Sequence, residues 1–246
     1  MEQDIIHNLD AIRAKIAQTA KEAGRTPDSV TLVAISKTQP PEKIATALKA
    51  GHRIFGENRV QEAAEKWPAI KKANPQVRLH MIGPLQTNKV KEALSLFDVI
   101  QTVDRPSLAQ ALAKELKNWG NEELKKKDSS FPHFLISSFP QFMIQINTGE
   151  EPQKAGVIPK EADEFIRYSI HDLKLPVAGL MCIPPADQPS APHFALLRNI
   201  ALAHGLKELS MGMSNDYETA ARMGSTCVRI GTALFGRRAS HPAETQ

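Results

Sequence analysis

The feature that most restricts the fold is a rhythm of eight short, almost continuously apolar runs alternating with longer stretches of helical spacing. The runs are 31–36 (TLVAIS), 52–55, 78–82, 98–102, 142–147 (FMIQIN), 176–183 (PVAGLMCI), 206–211 and 227–231 (CVRIG). Strands of a parallel sheet read this way, because helices cover the sheet and leave neither strand face in water. The helical segments fall at about 41–50, 57–70, 87–96, 106–118, 159–170, 191–204 and 215–223. Pro40-Pro41 opens the first of them and Gly51 stops it. An unbroken alternation of eight strands with helices predicts an α/β fold, a single (β/α)8 TIM barrel. A doubly wound open sheet is the competing architecture on pattern alone. Residues 2–23 carry Ile5, Leu9, Ile12 and Ile16 at helical spacing with Gly24 behind them. They predict an extra helix ahead of the first strand. Only 120–141 breaks the rhythm, and it reads as a long surface loop inside one domain spanning 1–246.

Composition removes several classes of function. Lys plus Arg number 31 against 27 Asp plus Glu, a net charge of +4 spread over 246 residues. The one tight basic run, Lys125-Lys126-Lys127, reads as a solvated loop. Aromatic residues make up 5% and do not interleave with basic ones, which argues against a nucleic-acid platform. No run approaches the ~18 apolar residues of a membrane span. The start, MEQDIIHNLD, has no basic n-region followed by an apolar core. The two cysteines, Cys182 and Cys227, lie in apolar runs and imply neither a disulfide framework nor a metal site. The expectation is a cytoplasmic protein without metal.

A barrel of this kind carries its chemistry at the C-terminal ends of the strands. Lys37 ends the first run, where partial burial lowers a lysine pKa and prepares the amine to attack a carbonyl. The alternative is a lysine that snorkels to the rim. Asn58 follows the second run, in GEN (56–58). The seventh run leads into Met213-Ser214-Asn215-Asp216, a helix start with Asn215 and Glu218 at capping-box spacing and Ser214 as the other candidate cap. The eighth ends in Gly231-Thr232. Loops seven and eight are where such barrels hold phosphate, and the helix start offers free N–H groups. Arg229 sits inside the eighth apolar run, where it needs either a structural ion pair or a ligand. His80, within the third run, reads as a satisfied histidine. There is no GxxxxGK[ST], GxGxxG after a strand, HExxH or GxSxG.

The combination is more specific than its parts. A lysine for an aldehyde, a phosphate cradle and an arginine for a ring nitrogen describe a pyridoxal phosphate site. LVAISKTQP (32–40), FGENRVQE (55–62), HMIGPLQTNK (80–89), QINTGEEPQKAG (145–156), GLMCIPP (179–185), LSMGMSNDYETA (209–220) and GSTCVRIGTALFG (224–236) stand in order along most of the chain. In these segments the sequence resembles the pyridoxal phosphate homeostasis proteins, the YggS or PROSC family.

The resemblance implies a barrel like the N-terminal domain of alanine racemase. It implies that Lys37 holds pyridoxal 5'-phosphate (PLP) as an internal aldimine. Ser214, Gly231 and Thr232 would bind the phosphate with Met213 nearby, Arg229 would face the pyridine nitrogen, and Asn58 would lie beside the ring. Lys154 is the candidate for a second lysine near the entrance. A guanidinium opposite the ring nitrogen disfavours its protonation and weakens the ring as an electron sink. Of the two tyrosines, Tyr168 falls in a helix and Tyr217 in a cap, so neither is an obvious base. The expected function is therefore binding PLP and supplying it to apo-enzymes, by a monomer without efficient catalysis. The alternatives are a weak amino-acid racemase on the same site, an aldolase-type barrel acting through the lysine on a sugar phosphate, and a pure interaction protein.

Overall fold

In the computed structural model, which describes residues 2–126 and 140–236, eight parallel strands close into a barrel in sequence order. They are β1 (Thr31–Ile35), β2 (Ile54–Glu57), β3 (Arg78–Met81), β4 (Val99–Val103), β5 (Gln141–Ile146), β6 (Val177–Cys182), β7 (Glu208–Ser210) and β8 (Cys227–Ile230). The ring closes between β8 and β1, with Leu32 opposite Val228 and Val33 opposite Arg229. The open-sheet alternative is thereby removed.

Helices α1 (Glu2–Glu22), α2 (Pro41–Lys49), α3 (Val60–Ala73), α4 (Val90–Leu96), α5 (Pro106–Lys126), α6 (Pro159–Arg167), α7 (Ser190–Ala203), α8 (Tyr217–Arg222) and α9 (Thr232–Phe235) form the outer layer. α1 is the expected extra helix. Its stripe of Ile5, Leu9, Ile12, Ile16 and Ala20 is buried against α2, α8 and α9. Asn8 Nδ2 ties it to the Leu234 carbonyl at 3.1 Å.

Period-two alternation sorts the strand residues into two sets. Leu32, Ala34, Phe55, Leu79, Met81, Ile144, Leu180, Val228 and Ile230 pack outward into one continuous core with the helices. Val33, Ile35 and Cys227 form one inner cluster, and Val99, Met143 and Met181 another. His80, Gln101, Ser210 and Arg229 alternate with outward-facing neighbours, so they enter the lumen too. Both cysteines are buried and free, Cys227 on the inner side and Cys182 on the outer.

Two expectations are corrected. The second strand is Ile54–Glu57, not 52–55. Gly56 and Glu57, expected after the strand with Glu57 opening a helix, continue the ladder, with Gly56 opposite His80 and Glu57 opposite Met81. A Cβ on Gly56 would come 2.8 Å from Ile35 Cδ1 and 3.0 Å from Val33 Cγ1, so glycine leaves room for these side chains to fill the lumen. The loop expected at 120–141 is shorter than proposed. α5 runs through Gly120 to Lys126 and β5 begins at Gln141, while 127–139 lies outside the described residues.

Candidate functional site

The first strand delivers Lys37 to the barrel mouth. Val33 and Ile35 face the lumen, and the alternation carried two residues further reaches Lys37, which is half-buried. The turn after it is unusual, because Thr38 has φ +59, a region that non-glycine residues occupy rarely. The chain here is held from α3. Lys66 Nζ donates to the Ser36 carbonyl at 3.0 Å and pairs at 2.8 Å with both Glu57 and Glu62. Glu57 is fully buried and also accepts from Ser36 Oγ at 2.8 Å and Trp67 Nε1 at 3.0 Å. Burial pushes the Glu57 carboxyl up from its ordinary value, against the opposing pull of Lys66, Trp67 and Ser36.

The eighth strand delivers Arg229. Its guanidinium is buried, donating to Ser210 Oγ at 2.6 Å and to the Cys182 carbonyl at 2.8 Å. No carboxylate forms an ion pair with it among the described residues, and burial pushes the guanidinium below its ordinary value. Ser210 donates onward to Gln101 Oε1 at 2.7 Å, and Gln101 Nε2 lies 2.8 Å from His80 Nδ1. A chain of hydrogen bonds thus crosses the lumen from β8 through β7 and β4 to β3. It requires His80 Nδ1 to accept, hence a neutral ring. Burial agrees, pushing the His80 pKa down to about 3.

The loops after β7 and β8 meet above this chain. Ser214 Oγ accepts from the Ala233 N–H at 3.4 Å. The capping expectation is corrected: Asp216 is the residue that precedes α8, and its carboxylate accepts from the Met213 N–H at 2.7 Å instead of capping the helix. Ser214 is thereby left to bridge the two loops. Gly231 approaches β1 closely, since a Cβ there would stand 3.3 Å from Ile35 Cβ. Thr232 begins α9 and is exposed, as is the Met213 side chain. Asn58, after β2, has a buried Oδ1 without a hydrogen-bond partner among the described residues. Lys154 lies after β5 and pairs with Glu151. The sequence reading missed Lys66, Glu62, Gln101 and Ser210. It placed Ser36 at the end of the first run, Glu57 just after the second and His80 within the third without giving them partners.

A cavity of about 560 Å³ lies at the opposite end, where Thr31, Leu32 and Ile54 begin their strands over Arg13, His52 and Arg53. His52 there has both ring nitrogens in hydrogen bonds, and burial lowers its pKa to about 4. This is the floor of the barrel, away from the strand ends where such folds do chemistry.

Fold and mouth together define a barrel of the alanine racemase N-terminal domain class, and that family's model matches residues 7–239. At closer range the relatives are more particular. The Pyridoxal phosphate homeostasis protein of Escherichia coli K12 is 38% identical over 244 residues, covering 96% of this chain and 97% of its own. That of Aquifex aeolicus is 36% identical over 243 residues, with 94% and 96% covered. PipY of Synechococcus elongatus, solved with PLP bound, has a TM-score of 0.74 at 32% identity, covering 94% of this chain and all of its own. Alanine racemase from Corynebacterium glutamicum, at 19% identity and a TM-score of 0.63, shares the fold over 96% of this chain and 62% of its own. The chain belongs to the pyridoxal phosphate homeostasis protein family.

Proposed function

We propose that this chain binds PLP at the barrel mouth through covalent attachment to Lys37, and that it serves PLP homeostasis by holding the cofactor and supplying it to apo-enzymes. The observation that carries the reading is Arg229, a buried cation with no carboxylate partner among the described residues, on the strand next to Lys37. A buried charge without an ion-paired counter-charge is costly unless a ligand answers it. The orphaned Oδ1 of Asn58 and the close approach at Gly231 suit the same group.

In this reading Ser214, Gly231 and Thr232 take the phosphate, with Met213 at its border. Asn58 lies beside the ring, and Arg229 donates to the ring nitrogen. When bound, the group supplies an electrophilic aldehyde carbon. Lys37 contributes the amine, while Arg229 keeps the ring nitrogen unprotonated and so limits electron withdrawal. We assign a carrier role in place of efficient catalysis, because the chain's two tyrosines pack on the outer layer. Tyr168 accepts there from Gln110 Nε2 at 2.7 Å.

We read the chain as one barrel domain and as a monomer. Among the described residues the exposed large apolar side chains are Ile6, Leu202 and Met213, scattered without forming a patch. No described helix is long and apolar enough to cross a membrane. The free, buried state of both cysteines suits the cytoplasm.

The test is incubation with PLP, borohydride reduction and peptide mapping. Lys37 should carry the label and Lys37→Ala should lose it. Label on another residue with Lys37 untouched refutes the site. Measurable racemisation of alanine by the wild type, lost in Lys37→Ala, would replace the carrier reading with the racemase one.

A further inference from the structure

Both peptide units that flank Lys37 are held by side chains of one helix. On the leading side, the Ser36 carbonyl accepts from Lys66 Nζ at 3.0 Å. On the trailing side, the Thr38 N–H donates to Glu62 Oε1 at 2.5 Å. Glu62 and Lys66 stand four residues apart on α3 and pair with each other at 2.8 Å, so the two holds form one unit. An ammonium has three N–H donors. Those of Lys66 meet three acceptors, Glu57, Glu62 and the Ser36 carbonyl. Glu57 is anchored in turn by Trp67 Nε1 and Ser36 Oγ, behind the barrel wall. The clamp sits beside a left-handed residue, Thr38 with φ +59. A left-handed threonine persists only where its surroundings determine it.

We propose that Glu62 and Lys66 are positioning residues that fix the Ser36–Thr38 backbone and so aim Lys37 into the barrel mouth. The proposal rests on the reading of Lys37 as the attachment residue. The clamp acts on the backbone and leaves the lysine stem to reach its target. Its benefit is pre-organisation, since a displacement of about 1 Å at a reacting group can cost about 100-fold in rate.

Loosening the clamp has two opposite effects on Lys37. Attachment of PLP slows, because the amine spends less time at the mouth. Attack by a reagent from bulk water speeds up, because the amine spends more time outside. In full-length apo-protein, Glu62→Ala should slow borohydride-fixed incorporation of PLP at Lys37 by about tenfold or more. Acetylation of Lys37 by acetic anhydride should rise toward that of exposed Lys91. Glu62→Gln, which keeps an oxygen for the Thr38 N–H, should stay close to wild type in both. Lys66→Met should behave like Glu62→Ala. If the buried Glu57 it strands prevents folding, the Glu62 pair still decides the matter.

Unchanged incorporation and acetylation in Glu62→Ala would overturn the clamp. Absence of PLP from Lys37 in the wild type overturns the attachment reading instead. The acetylation comparison then still judges the clamp alone.

Discussion

The hydrogen-bond chain across the lumen makes acid the perturbation that reaches the site without changing a residue. His80 is neutral in the folded protein, with Nδ1 facing Gln101 Nε2 at 2.8 Å and a pKa pushed down to about 3 by burial. Unfolded, the ring returns to an ordinary value of about 6.5. Between these values the unfolded chain binds the extra proton. Stability is therefore full above about pH 6.5 and falls as the pH is lowered toward 3. One pK unit is worth about 1.4 kcal/mol, so His80 alone costs about 2 kcal/mol at pH 5 and about 3 kcal/mol at pH 4. That is a large part of the ~5–15 kcal/mol that holds a domain together. Urea titrations followed by the fluorescence of buried Trp67 measure it directly. His52 titrates in the same direction, so the wild type must be compared with His80→Gln, whose side-chain oxygen still accepts from Gln101. The difference between the two should shrink by about 2 kcal/mol from pH 7 to pH 5. A difference independent of pH would falsify the account, as would a His80 ring that titrates near its ordinary value in the folded protein.

Three other outcomes follow from the geometry. Arg229→Gln should retain a cooperative melting transition, because it removes an unpaired buried charge, yet weaken PLP binding by about 10- to 100-fold, the worth of a hydrogen bond to a charged group. Equilibrium titration of PLP checks this, and loss of the transition would make Arg229 structural. Gly83→Ala should lose about 1–3 kcal/mol by overpacking, because its Cβ would run into the carbonyl oxygen of Asn58. A parallel loss of PLP affinity is expected, and an unchanged denaturation midpoint would mean that this loop yields. Cys182, with its thiol pushed up to about 12 by burial, and the equally buried Cys227 should resist iodoacetamide in the native protein and react after unfolding. Rapid native labelling at either one would contradict their placement.

The barrel was legible because its strands are buried on both faces and its helices on one, which writes two different periods into the chain. What escaped notice shares a different logic. Glu62 and Lys66 at i,i+4 read as an ordinary solvated ion pair on a helix face. Only the docking of α3 behind β1 and β2 turns that face toward the peptide units beside Lys37. Gln101 and Ser210 are isolated polar residues in apolar runs, 109 positions apart. They become neighbours because closing the ring lets inward-facing residues of β4 and β7 meet across the lumen.

Arg229 shows how the two kinds of information combine. From the sequence alone an arginine in an apolar strand is either half of an ion pair or a ligand contact. Around it stand a hydroxyl, a carbonyl and two buried thiols, and the one carboxylate that attracts it, Asp216, is not within ion-pair distance. The ion-pair alternative is thus not the one realised. A guanidinium buried with only neutral hydrogen-bond partners and no carboxylate at ion-pair distance carries a standing cost, and a ligand that presents an acceptor to it recovers part of that cost. In the proposed site, the same arrangement would keep a bound pyridine nitrogen unprotonated. On the proposed reading, the feature that favours holding the cofactor would also withhold its full electrophilic power, which is what retention without turnover requires.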